Sequence, residues 1–213
     1  MDRDDIDRTT SLFDDALAEG RLPMHWLASG GDAVEAFCRQ ALYADLLVLG
    51  QHDPSTRSSA TVPANFVESV VMATGKPALI LPLTGKFGAP DRAVLIGWNA
   101  TPQAARAVTA ALPWLRTARR VHVLEATDDA ALHHAGDLDI ARYLHLHGIV
   151  STLYRDHASP TDAGEVLLSF ASSVGADLLV MGCYGHHRAR EFVLGGASRT
   201  VLKSMTLPVL MVH

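Results

Sequence analysis

The stretch with the residue types and spacing for ligand chemistry runs from Gly182 to Thr200, GCYGHHRAREFVLGGASRT. Gly182 and Gly185 stand three apart, nine residues follow, and Gly195-Gly196 closes the pattern two positions before Ser198. Glycines let a backbone approach a phosphate closely, and a helix start offers unpaired N–H groups with a positive dipole end. The hydroxyl of Ser198 can reach the same anion. His186, His187, Arg188 and Arg190 lie in this loop. They suit either phosphate contact or a solvated polar loop. A Walker loop is excluded because no GK[ST] follows, and the GxGxxG dinucleotide fingerprint is absent after the first strand of the unit.

Other reactive residue types carry less. Among the eleven histidines, His133-His134 and His186-His187 are adjacent pairs that point apart, and His145 and His147 fall on different sides of a helix. No HExxH and no cysteine cluster accompanies them, so structural or solvated histidines are expected and no metal site. No GxSxG elbow surrounds Ser198, which reads as a helix-start cap compatible with phosphate contact. Cys183 is either a redox-sensitive thiol of lowered pKa or a small buried residue at a strand end, the expected reading. Trp98 either stacks on a base or packs, and packing is preferred.

The elements that must position this loop follow from periodicity. RAVLIGW (92–98) is a continuous apolar run of the kind buried on both faces of a parallel sheet. Ala104, Ala105, Val108, Ala111, Leu112 and Leu115 recur at helical spacing over 101–116. Strands VHVLEA (121–126), VSTLYR (150–155), DLLVMG and PVLMV alternate with helices near 137–147, 162–174 and 195–204. Strands alternating with helices predict βαβ units and a parallel sheet.

Part of this unit occurs twice. ADLLVLG (44–50) matches ADLLVMG (176–182), with similar lead-ins from Gly31 and Thr161 and closing segments KPALILP (76–82) and LPVLMVH (207–213). Three parts in register indicate a duplication. The expected fold class is α/β, two doubly wound parallel-sheet domains in tandem, the first incomplete at its N-terminus. Residues 1–83 form the incomplete, degenerate domain, 84–91 a linker within LTGKFGAPD, and 92–213 the complete domain. The first copy offers a helix near 8–19, a strand MHWLA (24–28) and a helix near 31–42, but no counterparts of the second copy's first strand, first helix and second strand. In a sheet of order 2-1-3-4-5 or a relative, the missing strands would lie near the middle. Either the second domain or a second subunit covers that gap, or the gene model is truncated.

Charge and composition narrow the function classes. A formal charge of −5 with 48% hydrophobic residues argues for a packed protein and against a general nucleic-acid binder. No apolar run reaches the roughly 18 residues of a membrane span. Two distant cysteines, Cys38 and Cys183, and the acidic opening MDRDDIDR fit a cytoplasmic protein without a secretory signal.

The pattern G-x-x-G-(nine residues)-G, followed by a helix and a final PVL-type strand, resembles the nucleotide-binding signature of the universal stress protein family, tandem-domain bacterial branch. The resemblance covers 92–213 and, through the repeat, much of the first copy. It implies a stress-response accessory or signalling protein that holds ATP or a related adenine nucleotide, with Mg accompanying it. The implied binding residues are Asn99, Ala126, Gly182, Gly185, Gly195, Gly196 and Ser198. Asn99 stands where the family usually has Asp, Tyr184 where it often has His, and Gly196 where it has Ser or Thr. In the first copy Gly50-Gln51-His52-Asp53 begins the loop but no later glycine completes it, so that site is read as dead. The resemblance also implies intramolecular domain pairing through the last strand, and a homodimer. With no assigned base or metal ligand, a weak ATPase at most is expected. The alternatives are an interaction scaffold without nucleotide and a slow nucleotide hydrolase.

Overall fold

The computed structural model describes residues 3–20, 23–53, 62–84, 92–126, 139–156, 162–183 and 196–213. The elements are α1 (Arg3–Ala18), α2 (Ala33–Ala41), β1 (Leu47–Gly50), α3 (Phe66–Thr74), β2 (Ala78–Leu81), β3 (Ala93–Gly97), α4 (Pro102–Leu115), β4 (Arg120–Ala126), α5 (Ile140–Leu146), β5 (Ser151–Asp156), α6 (Ala163–Ser173), β6 (Leu178–Gly182), α7 (Gly196–Ser204) and β7 (Val209–Val212). The strands form one sheet in the order β1-β2-β7-β6-β3-β4-β5.

Every strand pair is parallel except β2 with β7. That antiparallel seam joins the two repeats. Leu79 faces Leu210 across it, and these are corresponding residues of KPALILP and LPVLMVH. The last strand therefore pairs the two copies within one chain, as expected.

Period-two alternation splits the core into two layers. Val94, Ile96, Val121, Val123, Leu178 and Val180 point to the face covered by α4 and α5, through Val108, Leu115 and Leu144. Leu95, Leu124, Leu179 and Met181 point to the other face, covered by α3, α6 and α7 through Val70, Leu167 and Val201. Side chains of this size each contribute roughly 1.5–3 kcal/mol when fully buried. Helices on both faces make this an α/β doubly wound fold.

Two expectations are corrected. The segment MHWLA (24–28) is not a strand; Trp26 and Leu27 are exposed, and no described strand lies beside it to satisfy its backbone. The second copy has the strand order 3-2-1-4-5, with strands 1 and 2 near its middle. With MHWLA not a strand, the first copy lacks counterparts of strands 3, 2 and 1 together, so the absent strands open no gap within the sheet. They leave β1 as its outer edge. An unforeseen helix, α3, lies between β1 and β2, closed by Gly75 at φ 60° in the left-handed region.

Candidate functional site

Strand order decides where a ligand crevice can form. From β3 the chain passes through α4 to β4 on one side, and from β6 through α7 to β7 on the other. The order reverses between β3 and β6, and α4 and α7 lie on opposite faces. Open α/β sheets bind ligands outside the carboxyl ends of the strands at such a switch point.

The β3 lip is built by Trp98-Asn99-Ala100-Thr101. Thr101 caps α4, its Oγ1 accepting from the Ala104 N–H at 3.2 Å, while its hydroxyl donates to Asn99 Oδ1 at 2.8 Å. Asn99 is thus fixed by its acceptor oxygen, and its amide N–H groups carry the remaining donor capacity. Between them Ala100 has φ 51°. A non-glycine residue in the left-handed region is a strained position of the sort that clusters at functional turns. The β3–β4 register places Gly97 beside Leu124, and the Trp98 N–H donates to the Leu124 carbonyl at 2.9 Å. Continuing that register brings Asn99 level with Ala126, the last residue of β4.

The β6 lip is Gly182-Cys183. A β-carbon on Gly182 would lie 2.4 Å from the Ala104 nitrogen and 2.6 Å from the Gln103 carbonyl carbon. Its bareness therefore serves the packing of α4 on β6. Gln103 keeps its Oε1 buried with no hydrogen-bond partner among the described residues. The Cys183 thiol is buried and its pKa is pushed up to about 12, by burial first. Burial thus favours the reading of a small buried residue, since a thiol of raised pKa yields little thiolate. Ser198, in the first turn of α7, is only 3% exposed.

The family model of the universal stress protein family matches residues 92–213. The chain belongs to the universal stress protein family. A universal stress protein of Archaeoglobus fulgidus is similar in structure at a TM-score of 0.70 and 17% identity, covering 100% of this chain and 80% of its own. A putative universal stress protein of Pseudomonas aeruginosa is similar at 0.64 and 14% identity, again covering 100% of this chain and 80% of its own. Both likenesses are of fold and span both repeats. A universal stress protein in complex with cAMP overlaps 57% of this chain and 96% of its own, at 24% identity and a TM-score of 0.44; that ligand is a fact about that protein. No functionally curated protein matches the chain in sequence.

In this universal stress protein, then, Ala126 and Gly182 end β4 and β6, and Asn99 lies just beyond β3 between them, all at the carboxyl ends of the strands. Gly196 and Ser198 begin the helix that leaves the same edge. Gly185 and Gly195 lie outside the described residues, as do His186, His187, Arg188 and Arg190. Thr101, Ala100 and Gln103 went unremarked in the sequence. The signal for the first was present, a Thr-Pro pair opening an apolar helix. Among the described residues no group of three or more His, Cys, Asp or Glu is placed to hold a metal, and no described helix is long and apolar enough to cross a membrane.

Proposed function

We propose that this protein acts by binding, as a stress-response accessory protein whose 92–213 unit holds an adenine nucleotide, ATP or a relative, at the crevice between β3 and β6. The observation that carries the reading is the switch point itself, with a strained, capped turn at Ala100 on one lip and the glycine-rich loop leaving the other. Asn99 would offer its amide N–H groups to the ribose or the adenine edge. The backbone beyond Ala126 would meet the base. Gly185, Gly195 and Gly196 would leave room for phosphates, with the α7 start supplying N–H donors. A Mg ion would be held chiefly by phosphate oxygens, since the described residues assemble no acidic cluster. No described base is placed for hydrolysis, so the role is binding, with weak ATPase activity at most.

A second reading is favoured by two observations. Gly182 is explained by α4 packing, and the Ser198 hydroxyl is buried. If the rest of the motif is equally structural, the protein is an interaction scaffold without nucleotide.

One experiment separates them. Protein purified without added nucleotide is denatured, the supernatant is assayed for nucleotide, and ATP is titrated calorimetrically. Co-purifying or titratable nucleotide, lost in Gly185→Val, supports the binding reading. No nucleotide and no heat leaves the scaffold.

A further inference from the structure

We propose that the outer edge of β1 is a self-association surface, and that its partner is β1 of a second copy of this chain, paired antiparallel about Val48. Leu47 N–H donates to the Pro77 carbonyl and Gln51 N–H to the Leu81 carbonyl, so the odd-numbered residues face β2. The N–H and C=O groups of Val48 and Gly50 therefore face outward, where no described strand lies. The duplicate strand β6 shows what such a strand ordinarily has: β3 pairs along its far side, and α4 covers its face. Neither counterpart exists beside β1 among the described residues.

The consequence is an apolar margin. Val48 is 56% exposed and Tyr43 91%, with Leu42 exposed beside them. Natural edge strands are protected by charges, prolines or bulges, because unpaired backbone groups template further pairing. Residues 46–50, Leu-Leu-Val-Leu-Gly, carry no such device.

The occupant is a second copy because the edge complements itself. Antiparallel pairing about Val48 sets Val48 against its own counterpart and Leu46 against Gly50. Asp45, just before the strand, then lies toward Gln51, so no like charges face each other across the paired strands. A two-fold axis perpendicular to the sheet keeps both open faces on the same side, joining Leu46 and Val48 of each copy into one apolar strip. A closed two-fold interface uses the same patch on both subunits. This edge is distinct from the β2–β7 seam, which is already filled within the chain.

The test uses the full-length protein in light scattering and sedimentation across a dilution series. Wild type is expected at twice the mass of one chain. Val48→Lys and Val48→Glu, which place like charges on the axis, are each expected as monomers, and their equimolar mixture is expected to regain the dimer. A second readout needs no variant: the Val48 and Gly50 amides of wild type should exchange with deuterium more slowly as concentration rises. A monomeric wild type overturns the proposal. So does a Val48→Lys dimer, which would place the interface elsewhere. Should the variants fail to fold by circular dichroism, exchange at Val48 and Gly50 that is independent of concentration overturns it as well.

Discussion

Gly182 lies so close to α4 that a β-carbon there would sit 2.4 Å from the Ala104 nitrogen and 2.9 Å from the Ala104 α-carbon. Both atoms belong to backbone, which cannot swing aside as a side chain can. Overpacking of this kind typically costs about 1–3 kcal/mol, and a clash with backbone belongs at the upper end. Gly182→Ala is expected to lower the unfolding free energy by that amount, read as a lower midpoint of denaturant unfolding. Gly185→Val, by contrast, is expected to remove nucleotide binding. An unfolding midpoint unmoved by Gly182→Ala would show that α4 is not seated on β6 as described.

Cys183 gives a second contrast. Burial raises its thiol to about 12, and burial also raises Cys38, with Asp32 adding to the effect. Only Cys38 is partly open to solvent. A thiol-specific reagent at mildly alkaline pH is expected to label Cys38 slowly and to leave Cys183 untouched until the chain is denatured. Cys183→Ser should therefore not change the native count. Labelling of Cys183 in the native protein would restore the redox reading.

The sheet was legible where a strand is buried on both faces. RAVLIGW, VHVLEA and the second ADLLV segment are continuous apolar runs suited to a covered parallel sheet, and each is a strand; the first ADLLV segment also forms a strand, β1, with one face left open. MHWLA is also largely apolar but has no described strand to pair with, and neighbours decide a strand's fate more than its propensity does. The nine-residue α3 escaped because Val67, Val70 and Val71 are β-branched and read equally well as a strand. Asn65 and Gly75 bracket it at helix-boundary positions. At the site, the loop glycines stand out in the sequence, yet Gly182, expected as a binding residue, is bare because α4 packs against it. Sequence alone cannot tell a glycine that admits a ligand from one that admits a neighbouring helix.

At the carboxyl end of β4, Glu125 accepts a charged hydrogen bond from Arg155 Nε at 2.9 Å, the carboxylate side chain being only 10% exposed. Arg155 is largely in solvent, so the pair is partly screened. Removing the arginine nevertheless strands a mostly buried carboxylate, and that loss exceeds the net worth of the pair. Arg155→Ala is expected to cost about 1–2 kcal/mol. The double variant Glu125→Gln, Arg155→Ala should recover part of it. Equal unfolding midpoints for the single and double variants would refute the coupling.

His122 supplies the pH dependence. It sits on β4 at 7% exposure, both ring nitrogens lack a partner among the described residues, and its ring lies 5.6 Å from that of Tyr154. Burial, and then the charge of Arg120, lowers its pKa below the usual 6.5. The unfolded chain therefore takes up a proton near pH 6.5 that the folded chain still refuses. Stability attributable to this residue is full above 6.5 and falls as pH drops from there toward the lowered folded value. His122→Phe keeps the ring contact with Tyr154 and removes both the titration and the two unpartnered nitrogens. At neutral pH the variant should match wild type or exceed it by up to about 1 kcal/mol. Between pH 7 and pH 5 (roughly the span in which histidines titrate) its Tm should fall less steeply. Thermal unfolding of the two proteins across that range decides the matter: parallel curves would mean that His122 finds a partner in solution and does not set the acid limit of the fold.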